Sequence, residues 1–148
     1  MAQGAEGRQV EIVLVEDEHA DALLVERALR RAGIAGPVTV LTDGERALDD
    51  LLGRSAEHLP GLILLDLKLP RIDGLTVLRR IKGTPGLRRV PVVILTSSAQ
   101  ARDVRAAYDL GANSYLVKPS RFSDLCLLAE QVEAYWIRRN KAADGILS

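Results

Sequence analysis

Five short aliphatic runs recur along the chain, each followed by a stretch in which apolar residues return every three or four positions. Residues 10–15, 37–41, 61–65, 90–95 and 114–118 are the runs. Their length and the Gly, Pro and polar residues that bound them predict strands, and those rich in Val, Leu and Ile read as strands buried on both faces. Residues 19–32 predict the first helix, with Leu23, Leu24, Val25 and Leu29 among alanines and Gly33 as its stop. Further helices are predicted over 45–52, from Asp73-Gly74 to 83–86, over 101–110 before Gly111, and from a cap at Ser123 or a neighbour to Arg139. Residues 53–60 read as a polar loop. Strand and helix alternate through five units with short connections, which implies an α/β domain with a parallel sheet and helices on both faces.

Each strand ends in a different chemistry. The first runs into Glu16-Asp17, the third into Asp66, the fourth into Thr96-Ser97-Ser98 and the fifth into Lys118-Pro119. In an open doubly wound sheet these ends share one edge, and ligands bind where the strand order reverses. Three carboxylates gathered there repel, at roughly 4 kcal/mol per pair at about 4 Å and an effective dielectric near 20. A hard cation with oxygen ligands relieves that repulsion, and magnesium suits a site of few carboxylates plus a phosphate. Lys118 adds a fixed positive charge and Thr96 a hydroxyl. The set suits in-line attack by the Asp66 carboxylate on phosphorus, giving an acyl phosphate, with no histidine base required. His19 and His58 stand at no strand end and read as incidental. The less favoured alternatives are that Thr96 caps the next helix, in competition with Ser97 and Ser98, and that Tyr115 is half-buried packing in an edge strand.

Composition narrows the field. In 148 residues, 20 Lys and Arg balance 20 Asp and Glu, so the formal net charge is zero. That leaves no basic footprint for nucleic acid or an anionic membrane surface. The single cysteine, Cys126, cannot form an internal disulfide, and no spacing supports zinc. No apolar run approaches a transmembrane span, and the first nine residues lack the order of a secretory signal, so a cytoplasmic protein is expected. One domain over 10–140 is expected, with a flexible arm at 1–9 and a frayed tail at 141–148.

Taken together, Glu16-Asp17, Asp66 within Leu-Leu-Asp-Leu-Lys-Leu-Pro-Arg-Ile-Asp-Gly, Thr96 and Lys118-Pro119 resemble the receiver domain of two-component response regulators, of the CheY-like superfamily. The resemblance covers residues 10–140. It implies a flavodoxin-like five-stranded parallel sheet of order 2-1-3-4-5. It implies Asp66 as phosphoacceptor, and Mg2+ held by Asp17, Asp66 and the backbone carbonyl of Lys68, with Glu16 acting mainly through a metal-bound water. Thr96 and Tyr115 become a switch pair, and the Lys118–Pro119 bond is expected to be cis. Glutamate at position 16, in place of the family's aspartate, reaches further and alters the water-mediated contact.

The loop at 53–60, the segment at 84–91, Tyr108-Asp-Leu-Gly-Ala and the closing Ala134-Tyr-Trp136 are similar to small regulators paired with bacterial phytochromes. The expected partner is therefore a sensor histidine kinase, a bacteriophytochrome in the narrower reading. The last helix carries more apolar residues than one sheet face requires. Leu125, Leu128, Val132 and Tyr135 or Trp136 form a core stripe, widened by Cys126, Leu127, Ala134 and Ile137. Either a wider core or a homodimer through the fourth helix, fifth strand and fifth helix accounts for the excess, and the dimer is the preferred expectation.

Two rivals share the chemistry or the fold. A haloacid-dehalogenase-like phosphatase also forms an aspartyl phosphate but wants a second acid two residues on, where Lys68 stands, and a cap domain for which the chain has no room. A flavodoxin-like cofactor binder needs a phosphate loop or aromatic pair that the strand ends lack. The expectation is a signalling protein whose only chemistry is phosphorylation and dephosphorylation of its own Asp66.

Overall fold

The computed structural model describes residues 9–143. The expected arm at 1–9, apart from Gln9, and the tail from residue 144 lie outside the described residues. The strands are β1 (Ile12–Val15), β2 (Val38–Leu41), β3 (Leu62–Leu65), β4 (Val92–Thr96) and β5 (Ser114–Val117). The helices are α1 (His19–Arg31), α2 (Gly44–Leu52), α3 (Gly74–Lys82), α4 (Ala101–Asp109) and α5 (Phe122–Val132). Among the described residues the strands form one sheet in the order β2-β1-β3-β4-β5, parallel throughout.

Side-chain alternation along the strands divides the core in two. Val13, Val15, Ile63, Leu65, Val92 and Ile94 face α2, α3 and α4, where Leu48, Leu51, Val77, Leu78, Ile81 and Ala107 meet them. Ile12, Leu14, Leu62, Leu64, Val93 and Leu95 face α1 and α5, against Val25, Leu29, Leu125, Ala129 and Val132. The three central strands are buried on both faces, which explains their unbroken aliphatic sequences. The edge strands β2 and β5 are only half-buried and tolerate Thr39, Ser114 and Tyr115.

Local sequence accounts for most helix ends. Asp43 and Asp73 cap α2 and α3, their side chains accepting hydrogen bonds from the backbone N–H of Arg46 at 2.7 Å and Thr76 at 2.9 Å. Gly33 follows α1 at φ +99°, the left-handed conformation that closes many helices. A Cβ on Gly74 would lie 2.2 Å from the Asp66 carbonyl oxygen, so only glycine lets α3 start against the end of β3.

The last helix departs from its expected form. Arg121 occupies the cap position, so Ser123 lies inside the first turn, and no side chain caps the helix. Beyond Val132 the chain continues to Arg139 as a π-helix, Glu133–Arg139. The wider turn alters the phase of the apolar stripe. Trp136 and Ile137 pack against the core while Tyr135 and Leu127 are exposed. The loop at 53–60 contains a 3₁₀ turn, Ala56–His58. No described peptide bond is cis. The expected cis Lys118–Pro119 bond is therefore trans here, the isomer that an X-Pro bond intrinsically favours by about 0.5–1 kcal/mol.

Candidate functional site

The chain leaves β1 towards β2 on one side and later crosses to β3 on the other, so the strand order reverses between β1 and β3. The Glu16-Asp17 pair follows β1 and Asp66 follows the neighbouring β3, which puts all three acids at that reversal. One carboxylate oxygen from each of Glu16, Asp17 and Asp66 lies within 4.8 Å of the others. Glu16 is 1 % exposed and Asp66 8 %, while Asp17 is more open to solvent.

Lys118, at the end of β5, reaches across to these acids. Its ammonium donates to Asp66 Oδ2 at 3.1 Å and makes a short hydrogen bond to Glu16 Oε1. Backbone N–H groups hold the other oxygens: Glu18 donates to Glu16 Oε2 at 3.1 Å, and Lys68 to Asp66 Oδ1 at 3.3 Å. Burial pushes the Glu16 carboxyl up to about 7, against the opposing pull of the Lys118 hydrogen bond. Burial also disfavours the Lys118 ammonium, but the hydrogen bond to Glu16 and the charge of Asp66 outweigh it and raise its pKa above the ordinary lysine value. One ammonium thus meets two of the three clustered carboxylates. The excess of negative charge and the all-oxygen donor set fit a divalent cation. Lys68 has its backbone beside Asp66 and its side chain in solvent.

Thr96 closes β4 rather than following it, and its side chain does not cap α4, whose first turn is preceded by Gln100. Its Oγ1 is buried and finds no hydrogen-bond partner among the described residues. Leaving a buried hydroxyl unpaired costs on the order of 1–3 kcal/mol, so this donor is available for an acceptor that enters the site. Tyr115 is half-buried in β5, and its hydroxyl donates to the Ser98 carbonyl at 2.9 Å. Burial raises its phenol pKa.

Two contacts escaped sequence reasoning. Asp21 Oδ2 lies 3.4 Å from the Lys118 ammonium. It is the acidic residue in the first turn of α1, and only the phase of that helix brings it to Lys118. Ser98, which the sequence offers only as a helix cap, instead supplies the carbonyl that receives Tyr115. His19 opens α1. His58 Nδ1 is 2.8 Å from Ser55 Oγ in the loop after α2.

This geometry coincides with a family match. The family model for the response regulator receiver domain matches residues 12–130. The chain belongs to the response-regulator receiver family. It is 46 % identical over 136 residues to a probable methanogenesis regulatory protein, FilR2, of Methanothrix harundinacea, covering 88 % of this chain and 86 % of that protein. It is 42 % identical over 130 residues to the response regulator Rcp1 of Synechocystis, covering 85 % and 88 %. A crystal structure of the phosphorylated cyanobacterial phytochrome response regulator RcpA superposes with a TM-score of 0.85 at 36 % identity, covering 92 % of this chain and 99 % of that one. Rcp1 has also been solved in a Mn(2+)-bound form. The receiver fold, a divalent cation at the acidic cluster and a histidine kinase partner follow from this membership. The phosphatase and cofactor-binder readings gain no support. Among the described residues no helix is long and apolar enough to cross a membrane.

Proposed function

We propose that Asp66 accepts a phosphoryl group from the phosphohistidine of a sensor histidine kinase. A carboxylate oxygen of Asp66 attacks phosphorus in line, the phosphorus–nitrogen bond breaks, and the imidazole leaves with a proton. The product is an acyl phosphate on Asp66. The observation that carries this reading is the Asp66 carboxylate, nearly buried at the sheet's reversal point, with the Lys118 ammonium 3.1 Å away. Lys118 neutralises charge on the transferred group, and the unpaired Thr96 hydroxyl has an acceptor once that group arrives. Mg2+ is the cation we assign, held by Glu16, Asp17, Asp66 and the Lys68 carbonyl, and when bound it would supply further charge stabilisation to the phosphoryl oxygens. Tyr115 and Thr96 report the modification, the threonine by turning to the phosphoryl group and the tyrosine by packing behind it.

The likeness to Rcp1 and RcpA supports a bacteriophytochrome as the kinase. Exposed Tyr108 on α4, Val117 on β5 and Leu127 on α5 support a homodimer through those elements. The balanced charge supports a protein that binds neither nucleic acid nor an anionic membrane surface, and we assign it to the cytoplasm. Its chemistry is confined to gain and hydrolysis of its own phosphoryl group, within a domain spanning residues 10–140. Asp66→Asn abolishes labelling by a phosphorylated kinase and by acetyl phosphate; a variant still labelled to the wild-type extent would overturn the assignment.

A further inference from the structure

Ser98 is tied on two sides. Its Oγ donates to Asp103 Oδ2 at 2.5 Å, in the first turn of α4, and accepts a hydrogen bond from the backbone N–H of Gln100 at 3.3 Å. Its carbonyl receives the Tyr115 hydroxyl from β5 at 2.9 Å. One residue therefore joins the start of α4 to the aromatic ring on the edge strand. Ser98 stands two residues beyond Thr96, whose buried hydroxyl has no partner among the described residues. Any movement of Thr96 towards Asp66 pulls on a loop whose far end is fixed at Asp103. All three groups are half-buried, where a hydrogen bond to a carboxylate is stronger than one between neutral groups.

We propose that Ser98 and Asp103 form a latch that holds the β4–α4 loop with the Ser98 carbonyl presented to Tyr115, and so set how readily Asp66 is phosphorylated. Both are positioning residues, since neither touches the Asp66 carboxylate. The proposal rests on the reading of Thr96 and Tyr115 as reporters of Asp66. With the latch closed, the acceptor for Tyr115 is already in place, and phosphorylation need not order the loop. With it open, part of the interaction energy of the phosphoryl group goes into ordering the loop, and the apparent affinity for a phosphodonor falls.

The test uses the full chain with Mg2+, acetyl phosphate as donor and beryllofluoride as phosphoryl mimic, and reads the Tyr115 ring resonances, assigned by their loss in Tyr115→Phe. Ser98→Ala is expected to raise the acetyl phosphate concentration for half-maximal phosphorylation by about threefold to tenfold, the size of the net contribution of one intramolecular hydrogen bond. It is expected to shift the Tyr115 resonances in the free protein and to leave divalent-cation affinity unchanged. Ser98→Thr, which keeps the hydroxyl, restores both properties, and adding Asp103→Asn to Ser98→Ala has no further effect. Wild-type half-saturation and wild-type Tyr115 resonances in Ser98→Ala would overturn the latch, as would slower phosphorylation with the resonances unmoved. Wild-type Tyr115 resonances that ignore beryllofluoride would instead remove the reporter reading, and the latch with it.

Discussion

At the scale of single residues, the site is a problem of charge. Lys118 is 11 % exposed on its side chain and is shared by Glu16, Asp66 and Asp21. Removing its ammonium leaves Glu16, which is almost wholly inaccessible, without a cation. Breaking a buried ion pair from one side is costly, so Lys118→Met is expected to lower the unfolding free energy by ~3 kcal/mol in metal-free buffer. A divalent cation recovers part of that loss by binding the same carboxylates. Urea unfolding with and without Mg2+ checks this, and a variant as stable as wild type in chelator would contradict it. The principal acids, the lysine and the threonine were legible because each ends an aliphatic run, and parallel strands bring such ends to one edge. Asp21 and the role of Ser98 were not, since both depend on helix phase and loop path, which local composition does not encode.

At the scale of elements, the strands and α1 to α4 were readable from periodicity and from their Gly and Asp punctuation. The end of α5 was not. A π-helical turn accommodates an extra residue without any marker in sequence, and so Trp136 rather than Tyr135 joins the core stripe. The opposite edge of the sheet has its own staple. Arg54, just after α2, donates to Glu11 at 2.6 and 3.0 Å, to Asp50 at 2.8 Å and to the His58 carbonyl at 3.1 Å. The Arg54 hydrogen bond holds the Glu11 pKa below its ordinary 4.5 against the opposing effect of burial, with Thr39 assisting. A carboxylate with a depressed folded-state pKa contributes stability above its unfolded value and loses it as the pH falls through the folded one. Arg54→Ala is therefore expected to cost about 1 kcal/mol at neutral pH, the pair being partly solvated. That cost should shrink as the pH falls below 4.5, the ordinary glutamate value. A difference from wild type that stays constant down to strongly acidic pH would rule out Glu11 as the partner that matters.

For the whole molecule, the face proposed for association adjoins the site. The α4, β5 and α5 elements carry Tyr115, the end of β5 with Lys118, and the exposed Tyr108, Val117 and Leu127. Association through that face would couple oligomeric state to Asp66. Leu127→Asp is expected to weaken self-association at least tenfold in sedimentation velocity, while Asp66 still accepts a phosphoryl group from acetyl phosphate. A wild-type protein that sediments as a monomer at tens of micromolar, with and without beryllofluoride, would eliminate the dimer and leave the excess apolar surface of α5 to another partner.

Everything else depends on Asp66 being the residue that gains the phosphoryl group. The most direct measurement is to phosphorylate the full chain with acetyl phosphate and Mg2+, reduce the acyl phosphate with borohydride, and map the modified peptide by mass spectrometry. The predicted result is homoserine at position 66 in the phosphorylated sample and aspartate there in a sample treated without donor. Reduction at another acid, Asp17 included, or phosphorylated protein with position 66 unaltered, would contradict the account.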